Sequence, residues 1–232
     1  MSAMFKARAE FRDRRDAGQC LAAELLHLAE EQPVVFALPR GGVPVAFEIA
    51  KALAAPLDIL MVRKLGAPGH SEYGIGAVVD GAEPQLVLNE EAMHIIHPTS
   101  DYVREEMERQ LAEIESRRAT YFANHEPTPV AGRTIVLVDD GIATGGTVRV
   151  ALKALRSSHA ARIVLAVPVA PRDALDALHD DADEVVCLST PANFRAVGLH
   201  YEDFSQTTDA EVVQLLAEAR TWLPRHDGKQ PA

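Results

Sequence analysis

The stretch Ile135-Val-Leu-Val-Asp-Asp-Gly-Ile-Ala-Thr-Gly-Gly-Thr147 constrains this chain more than any other. Ile135 to Val138 is a short apolar, mostly β-branched run, the pattern of a parallel strand buried on both faces. Asp139 and Asp140 stand where such a strand ends. Gly141 to Thr147 is a turn rich in glycine and threonine, and Val148 to Leu155 has helical spacing. Open α/β sheets bind ligands at the carboxyl ends of their strands. A glycine-rich turn opening a helix offers free backbone N–H groups and the positive end of the helix dipole. Gly145 and Gly146 let a phosphate approach with no Cβ in the way. Thr144 and Thr147 add hydroxyl donors, so residues 143–147 form a candidate phosphate site. The two carboxylates beside it suit a vicinal diol, a hydrated Mg²⁺, or both. No lysine follows the glycines, which excludes a P-loop, and the Gly-x-Gly-x-x-Gly dinucleotide fingerprint is absent.

The run resembles the phosphoribosyl pyrophosphate (PRPP) loop of the type I phosphoribosyltransferases over all thirteen positions: four apolar residues, two acids, a short spacer and a Thr-Gly-Gly-Thr turn. The resemblance implies an α/β fold with a doubly wound, mostly parallel sheet, a small hood from the chain termini and an inserted long helix. It implies one domain over 1–232, with a core at about 32–188 and a hood at about 189–224. It further implies transfer of the ribose-5-phosphate of PRPP to a nitrogenous acceptor, with release of pyrophosphate. The partners expected are PRPP, a small-molecule acceptor and Mg²⁺ as cofactor.

Carried onto this sequence, the resemblance assigns the 5′-phosphate to Ala143, Thr144, Gly145, Gly146 and Thr147. Asp139 and Asp140 become catalytic acids that hold the ribose hydroxyls, directly or through Mg²⁺ and its waters. Val34 to Leu38 reads as the first sheet strand, and Pro39-Arg-Gly-Gly42 turns it into a helix with Pro44 in the first turn. In the resembled family such a turn contacts pyrophosphate and often holds a non-proline cis peptide. Arg40, as a catalytic residue, and Gly41 and Gly42 match it, and the cis bond would be the one into Arg40. Leu57 to Val62 reads as the second strand, ending in Arg63 and Lys64, two further candidates for pyrophosphate. Residues 65–76 hold four glycines and a proline and read as a mobile loop. The family closes a loop here, which makes His70, Glu72 and Tyr73 candidates to touch substrate. Phe194, Tyr201 and Glu202, with Asp203 and Phe204, are the acceptor candidates in the irregular segment 189–208. One departure matters: hypoxanthine–guanine enzymes carry an acid where this chain has Ala143. That argues against 6-oxopurines and leaves the general base open between Glu72 and Glu202.

The remaining segments supply framework. Residues 5–31 are rich in helix formers, with Phe11, Leu21, Leu25 and Leu28 on one face and Gly18 as a weak point. Residues 77–79 and 85–88 suggest a hairpin or two short strands. Residues 99–122 are the longest helical signal, capped by Thr99, Ser100 or Asp101. Their stripe of Val103, Met107, Leu111, Ile114, Arg118 and Tyr121 suits packing or a dimer contact. Strands follow at 162–167 and 184–188, a short helix at 172–179, and a last helix capped by Asp209, with residues 225–232 frayed.

Composition narrows the function. With 23 basic and 34 acidic residues the net charge is −11, and aromatics are only 5%. Such a chain is poorly suited to a nucleic-acid backbone or to base stacking along a strand. An anionic substrate then needs a local basic pocket. Cys20 and Cys187 show no metal or redox spacing. No apolar run reaches membrane-spanning length and the N-terminus is charged, so a cytoplasmic protein, forming a homodimer, is expected. Two other readings compete. One is a non-catalytic PRPP or nucleotide sensor on the same fold, against which Arg40, Arg63 and Lys64 count. The other is a Mg²⁺-dependent phosphohydrolase using Asp139, against which the lack of Asp-x-Asp spacing counts.

Overall fold

The computed structural model describes residues 9–81, 84–122 and 127–222. In chain order the first half comprises α1 (Arg14–Glu24), β1 (Val34–Ala37), α2 (Gly42–Leu53), β2 (Leu57–Ile59), β3 (Val62–Ala67), β4 (His70–Val79) and β5 (Gln85–Leu88). Then come α3 (Glu90–Ile96), α4 (Ser100–Phe122), β6 (Thr134–Val138), α5 (Gly146–Ser157), β7 (Arg162–Val169), α6 (Arg172–Asp176), β8 (Glu184–Ser189) and α7 (Asp209–Ala219). Five strands form a parallel sheet in the order β2-β1-β6-β7-β8. The chain moves outward to β2 after β1 and outward to β7 after β6, so the order reverses between β1 and β6. A ligand crevice is expected at that switch point.

Alternation along the central strands divides the core. Val35, Ala37, Val136 and Val138 pack with α1, α2 and α7 on one face. Val34, Phe36, Ile135 and Leu137 pack with Val148, Leu152 and Leu155 of α5 on the other. Both faces are covered, which explains the continuous apolar runs. Within α1, Gly18 is a contact and not a weak point: a Cβ there would lie 2.6 Å from the Val45 carbonyl oxygen, so glycine lets α1 press against α2.

The structure corrects two expectations about the strands. The run Leu57 to Val62 is not one strand. It leaves the parallel sheet after Ile59 and re-forms as β3, in a separate antiparallel sheet of order β3-β4-β5. Residues 65–76 are not a loop but most of a long hairpin that turns at Pro68 and Gly69. Gly69 takes the positive φ of the turn, and the other three glycines serve close packing between strands: a Cβ on Gly66 would lie 2.6 Å from the Ser71 backbone oxygen, and the register slips on both sides of Gly66. The 77–79 and 85–88 pair is the hairpin β4–β5. Residues 5–8 and 225–232 lie outside the described residues.

Arg118 is more than a member of the α4 packing stripe. Its guanidinium donates to Asp58 of β2 at 2.9 Å and to Asp80, just after β4, at 2.7 Å. Asp58 is 0% exposed, and its second oxygen also accepts the Thr128 N–H. One largely buried arginine thus ties α4, the parallel sheet and the ribbon together. Breaking a buried pair strands the partner charges. Arg118→Met is therefore expected to cost about 3–5 kcal/mol in denaturant unfolding, and a loss below about 1 kcal/mol would contradict the tie. Burial, opposed by Arg118, pushes the Asp80 carboxyl up to about 6 from an ordinary 3.8. Its proton is held more tightly in the fold than in the unfolded chain. Its contribution to stability is full below the ordinary value and is lost as pH rises through about 6. Asp80→Asn should remove that part of the stability–pH profile; a profile of unchanged shape would show the carboxyl does not titrate there.

Candidate active site

The pairing Ala37↔Val138 sets the turn after β1 level with the turn after β6. The two turns touch. A Cβ on Gly41 would lie 2.0 Å from Asp140 Oδ2, and one on Gly42 would lie 2.7 Å from the Val138 carbonyl oxygen. The Leu38 N–H also donates to that oxygen at 2.9 Å. Glycine is required at 41 and 42 for this approach. The Pro39–Arg40 peptide bond is cis, at the bond expected.

After β6, the Asp140 N–H donates to Asp139 Oδ1 at 2.8 Å and folds the two acids into one turn. The Ile142 N–H donates to the Val169 carbonyl and anchors the loop to β7. Gly145, at φ 76°, is the N-cap of α5 and brings no capping side chain. The first N–H groups of α5 therefore have neither an intrahelical acceptor nor a capping one. Ala143, Thr144, Gly146 and Thr147 are exposed. A phosphate can reach these amides and both threonine hydroxyls.

Burial, then the charge of Asp140, pushes the Asp139 carboxyl well above the usual range. Burial also raises Asp140, against the hydrogen bond from Arg14. Two adjoining carboxylates that resist full ionisation call for a cation or for hydroxyl donors. Among the described residues no group of three or more His, Cys, Asp or Glu could cage a metal. Two carboxylates suit Mg²⁺, which keeps waters and shares its shell with substrate oxygens.

Beside the turn after β1 lies a cavity of about 190 Å³ whose polar lining includes Arg40, Arg63, Arg117, Tyr121 and Thr147. Among the described residues no carboxylate lines it, although the chain carries a net charge of −11. A terminal nitrogen of Arg63 pairs with Glu113 of α4, while its Nε is buried with no hydrogen-bond partner among the described residues. The Tyr121 hydroxyl donates to Asp209 at 2.6 Å, and Asp209 lies 3.6 Å from Arg40. Burial, then Asp209, pushes the Tyr121 hydroxyl up to about 12, so it stays a donor at neutral pH. Thr208, not Asp209, caps α7, which frees the Asp209 carboxylate for this network.

The expected site residues divide. Arg40, Gly41, Gly42, Asp139, Asp140 and the 143–147 turn meet at one rim, and Arg63 joins them from β3. Lys64, its neighbour on a strand, points to the other face and lines an adjoining groove with Thr147, Arg149 and Lys153. His70 and Tyr73 are exposed beside the hairpin turn, and neither lines the arginine cavity; Glu72 lies on the same strand. The hood is built from both ends of the chain: Phe11 bridges Tyr201, and the Glu202 N–H donates to the Phe11 carbonyl at 2.8 Å. Tyr201 is buried and donates to the Asp140 carbonyl at 2.6 Å. Phe194 stacks on His200, and Arg14 covers Phe204. Glu202 is exposed. Sequence reasoning misses Arg14 and Arg117 and reads Tyr121 only as packing or a dimer contact. Arg117 and Tyr121 stand four residues apart on α4, the spacing of one helical face, and that is the available signal.

The chain belongs to the phosphoribosyl transferase domain family, which matches residues 12–203. Its mixed α/β fold with a parallel central sheet is the one the resemblance implied. It is 46% identical over 209 residues to a Mycobacterium tuberculosis protein named "Putative phosphoribosyl transferase Rv0571c". That match takes in 90% of this chain but 47% of the relative, so the chain spans about half the length of the curated relatives it matches. The crystal structure of TT1426 from Thermus thermophilus is 44% identical, with a TM-score of 0.79, over 90% of this chain and 98% of that one. Among the described residues no helix is long and apolar enough to cross a membrane.

Gly41→Ala tests the contact between the turns. The added methyl must displace the Asp140 carboxylate, so affinity for a ribose-phosphate probe should fall by about tenfold or more with little change in melting temperature. Unchanged affinity would show that this approach does not set the site.

Proposed function

We propose that the chain transfers the ribose-5-phosphate of PRPP to a nitrogenous small-molecule acceptor, releasing pyrophosphate in a Mg²⁺-dependent reaction. The observation that carries this reading is the meeting of three parts at the switch point: an uncapped helix start, a pair of acids and an arginine cavity with no carboxylate among the described residues of its lining. The chemistry of these parts suits the three parts of PRPP. The 5′-phosphate takes the 144–147 amides and the Thr144 and Thr147 hydroxyls. The ribose hydroxyls take Asp139 and Asp140. The pyrophosphate takes Arg40, the Gly41 and Gly42 turn, Arg63 and the newly recognised Arg117. Bound Mg²⁺ would supply charge neutralisation for the leaving group, held beside Asp139 and Asp140.

Displacement at C1 builds positive charge on the ribose ring and negative charge on departing pyrophosphate. The protein contributes position and fixed charge more than covalent chemistry. Arg40, Arg63 and Arg117 stabilise the leaving group, and the acid pair faces the ring that becomes cationic. The Tyr121 hydroxyl holds Asp209, which in turn draws on Arg40. Ala143 places no carboxylate before the Thr-Gly turn, which keeps 6-oxopurines low among candidate acceptors. We place the protein in the cytoplasm, as a homodimer.

The decisive assay is release of pyrophosphate from PRPP, with and without Mg²⁺, across a panel of bases and amines. Turnover with one acceptor supports the reading. Binding of PRPP without turnover would favour a sensor, and no binding would end it. Within an active enzyme, Arg117→Met is expected to lower kcat/KM by about tenfold or more, and an unchanged value would remove Arg117 from the pyrophosphate site.

A further inference from the structure

Asp140 is held from a direction that the sequence motif does not contain. Arg14, the first residue of α1, donates from Nε to Asp140 Oδ2 at 2.8 Å. The same guanidinium lies 3.9 Å over the Phe204 ring, and one terminal nitrogen donates to the Ser205 carbonyl at 2.7 Å. The Arg14 side chain is 11% exposed and that of Asp140 16%. A planar guanidinium fixed at three points differs from a flexible surface pair, because the entropy of holding it is spread over three contacts. Oδ2 is confined further by Gly41, whose missing Cβ would lie 2.0 Å away. The backbone of Asp140 is held as well, since its carbonyl accepts the Tyr201 hydroxyl.

We infer that Arg14 is a positioning residue for the acid pair. It pins Oδ2, which leaves Oδ1 as the oxygen offered to a ligand, while tying the carboxylate to the hood through Phe204 and Ser205. The inference rests on the PRPP reading of this site. Its consequence is a link between two sides of the cleft. The hood segment 203–205, on the acceptor side, and the acid that holds the ribose share one guanidinium. A change in either is then felt by the other.

Calorimetric titration of the full chain with PRPP at fixed Mg²⁺ tests this, using the wild type, Arg14→Met, Arg14→Lys, Asp140→Asn and the double variant Arg14→Met with Asp140→Asn. Arg14→Met should weaken PRPP binding by about tenfold and raise the Mg²⁺ concentration needed for half-saturation. Arg14→Lys keeps the charge but not the fork or the stacking plane, so it should recover only part of the affinity. In the Asp140→Asn background, Arg14→Met should change affinity much less, because the group it positions is gone. Losses that add in the double variant, or binding that is unchanged or tighter in Arg14→Met, would overturn the inference. Wild-type protein that binds no PRPP would instead sink the functional reading, and this inference with it. Should Arg14→Met fail to fold by circular dichroism, Arg14→Lys decides: wild-type affinity and Mg²⁺ requirement in that variant would overturn the positioning role.

Discussion

The in-register parallel pairing of β1 with β6 is the constraint on which the rest depends. Four consecutive residue pairs, Val34↔Ile135 to Ala37↔Val138, end both strands at the same level. The next residues of each strand form the two turns of the candidate site, and because the chain departs in opposite directions no crossover helix fills the gap between them. Slip this register by one residue and every core side chain of β6 changes face. The sheet core and the site are therefore specified by the same pairing. Glycine at 41 and 42 then lets the turns close until the Asp140 carboxylate touches the neighbouring backbone.

Around that pairing, charge is sorted with little waste. The chain is acidic overall, yet Arg40, Arg63 and Arg117 are gathered in one small cavity with no carboxylate among the described residues of its lining. The inserted helix α4 makes this possible. Its buried Arg118 locks it to Asp58 and Asp80, and the adjoining Arg117 and Tyr121 are thereby aimed at the cleft. Stability and electrostatics are joined in two neighbouring residues of one helix. The hood works in a similar way: its aromatic rings are occupied with one another, with His200 and with Arg14, and Tyr201 spends its hydroxyl on the Asp140 backbone.

Much of this can be read in the residues. The apolar runs of β1, β6 and β7 and the glycine-rich turns are local signals, since burial on both faces and close backbone approach each demand a residue type. The segment 57–76 is less legible. Strand β2 is only three residues long, and a break at Leu60–Met61 carries no glycine or proline to announce it. The hairpin's four glycines imitate a loop, because glycine serves tight strand approach and flexibility alike. Arg14 and Arg117 are invisible for another reason: an arginine on a helix reads as a solvated face unless its distant partners are known. Arg14 lies 126 residues from Asp140, and no local pattern reports such a contact.

A crystal structure of the protein with Mg²⁺ and PRPP, or with ribose 5-phosphate, tests the central claim most directly. The account predicts the 5′-phosphate against the amides of Thr144 to Thr147, the ring hydroxyls on Asp139 and Asp140, and the pyrophosphate among Arg40, Arg63 and Arg117. A phosphate bound elsewhere while those amides stay free, or a ribose turned away from both acids, would contradict it.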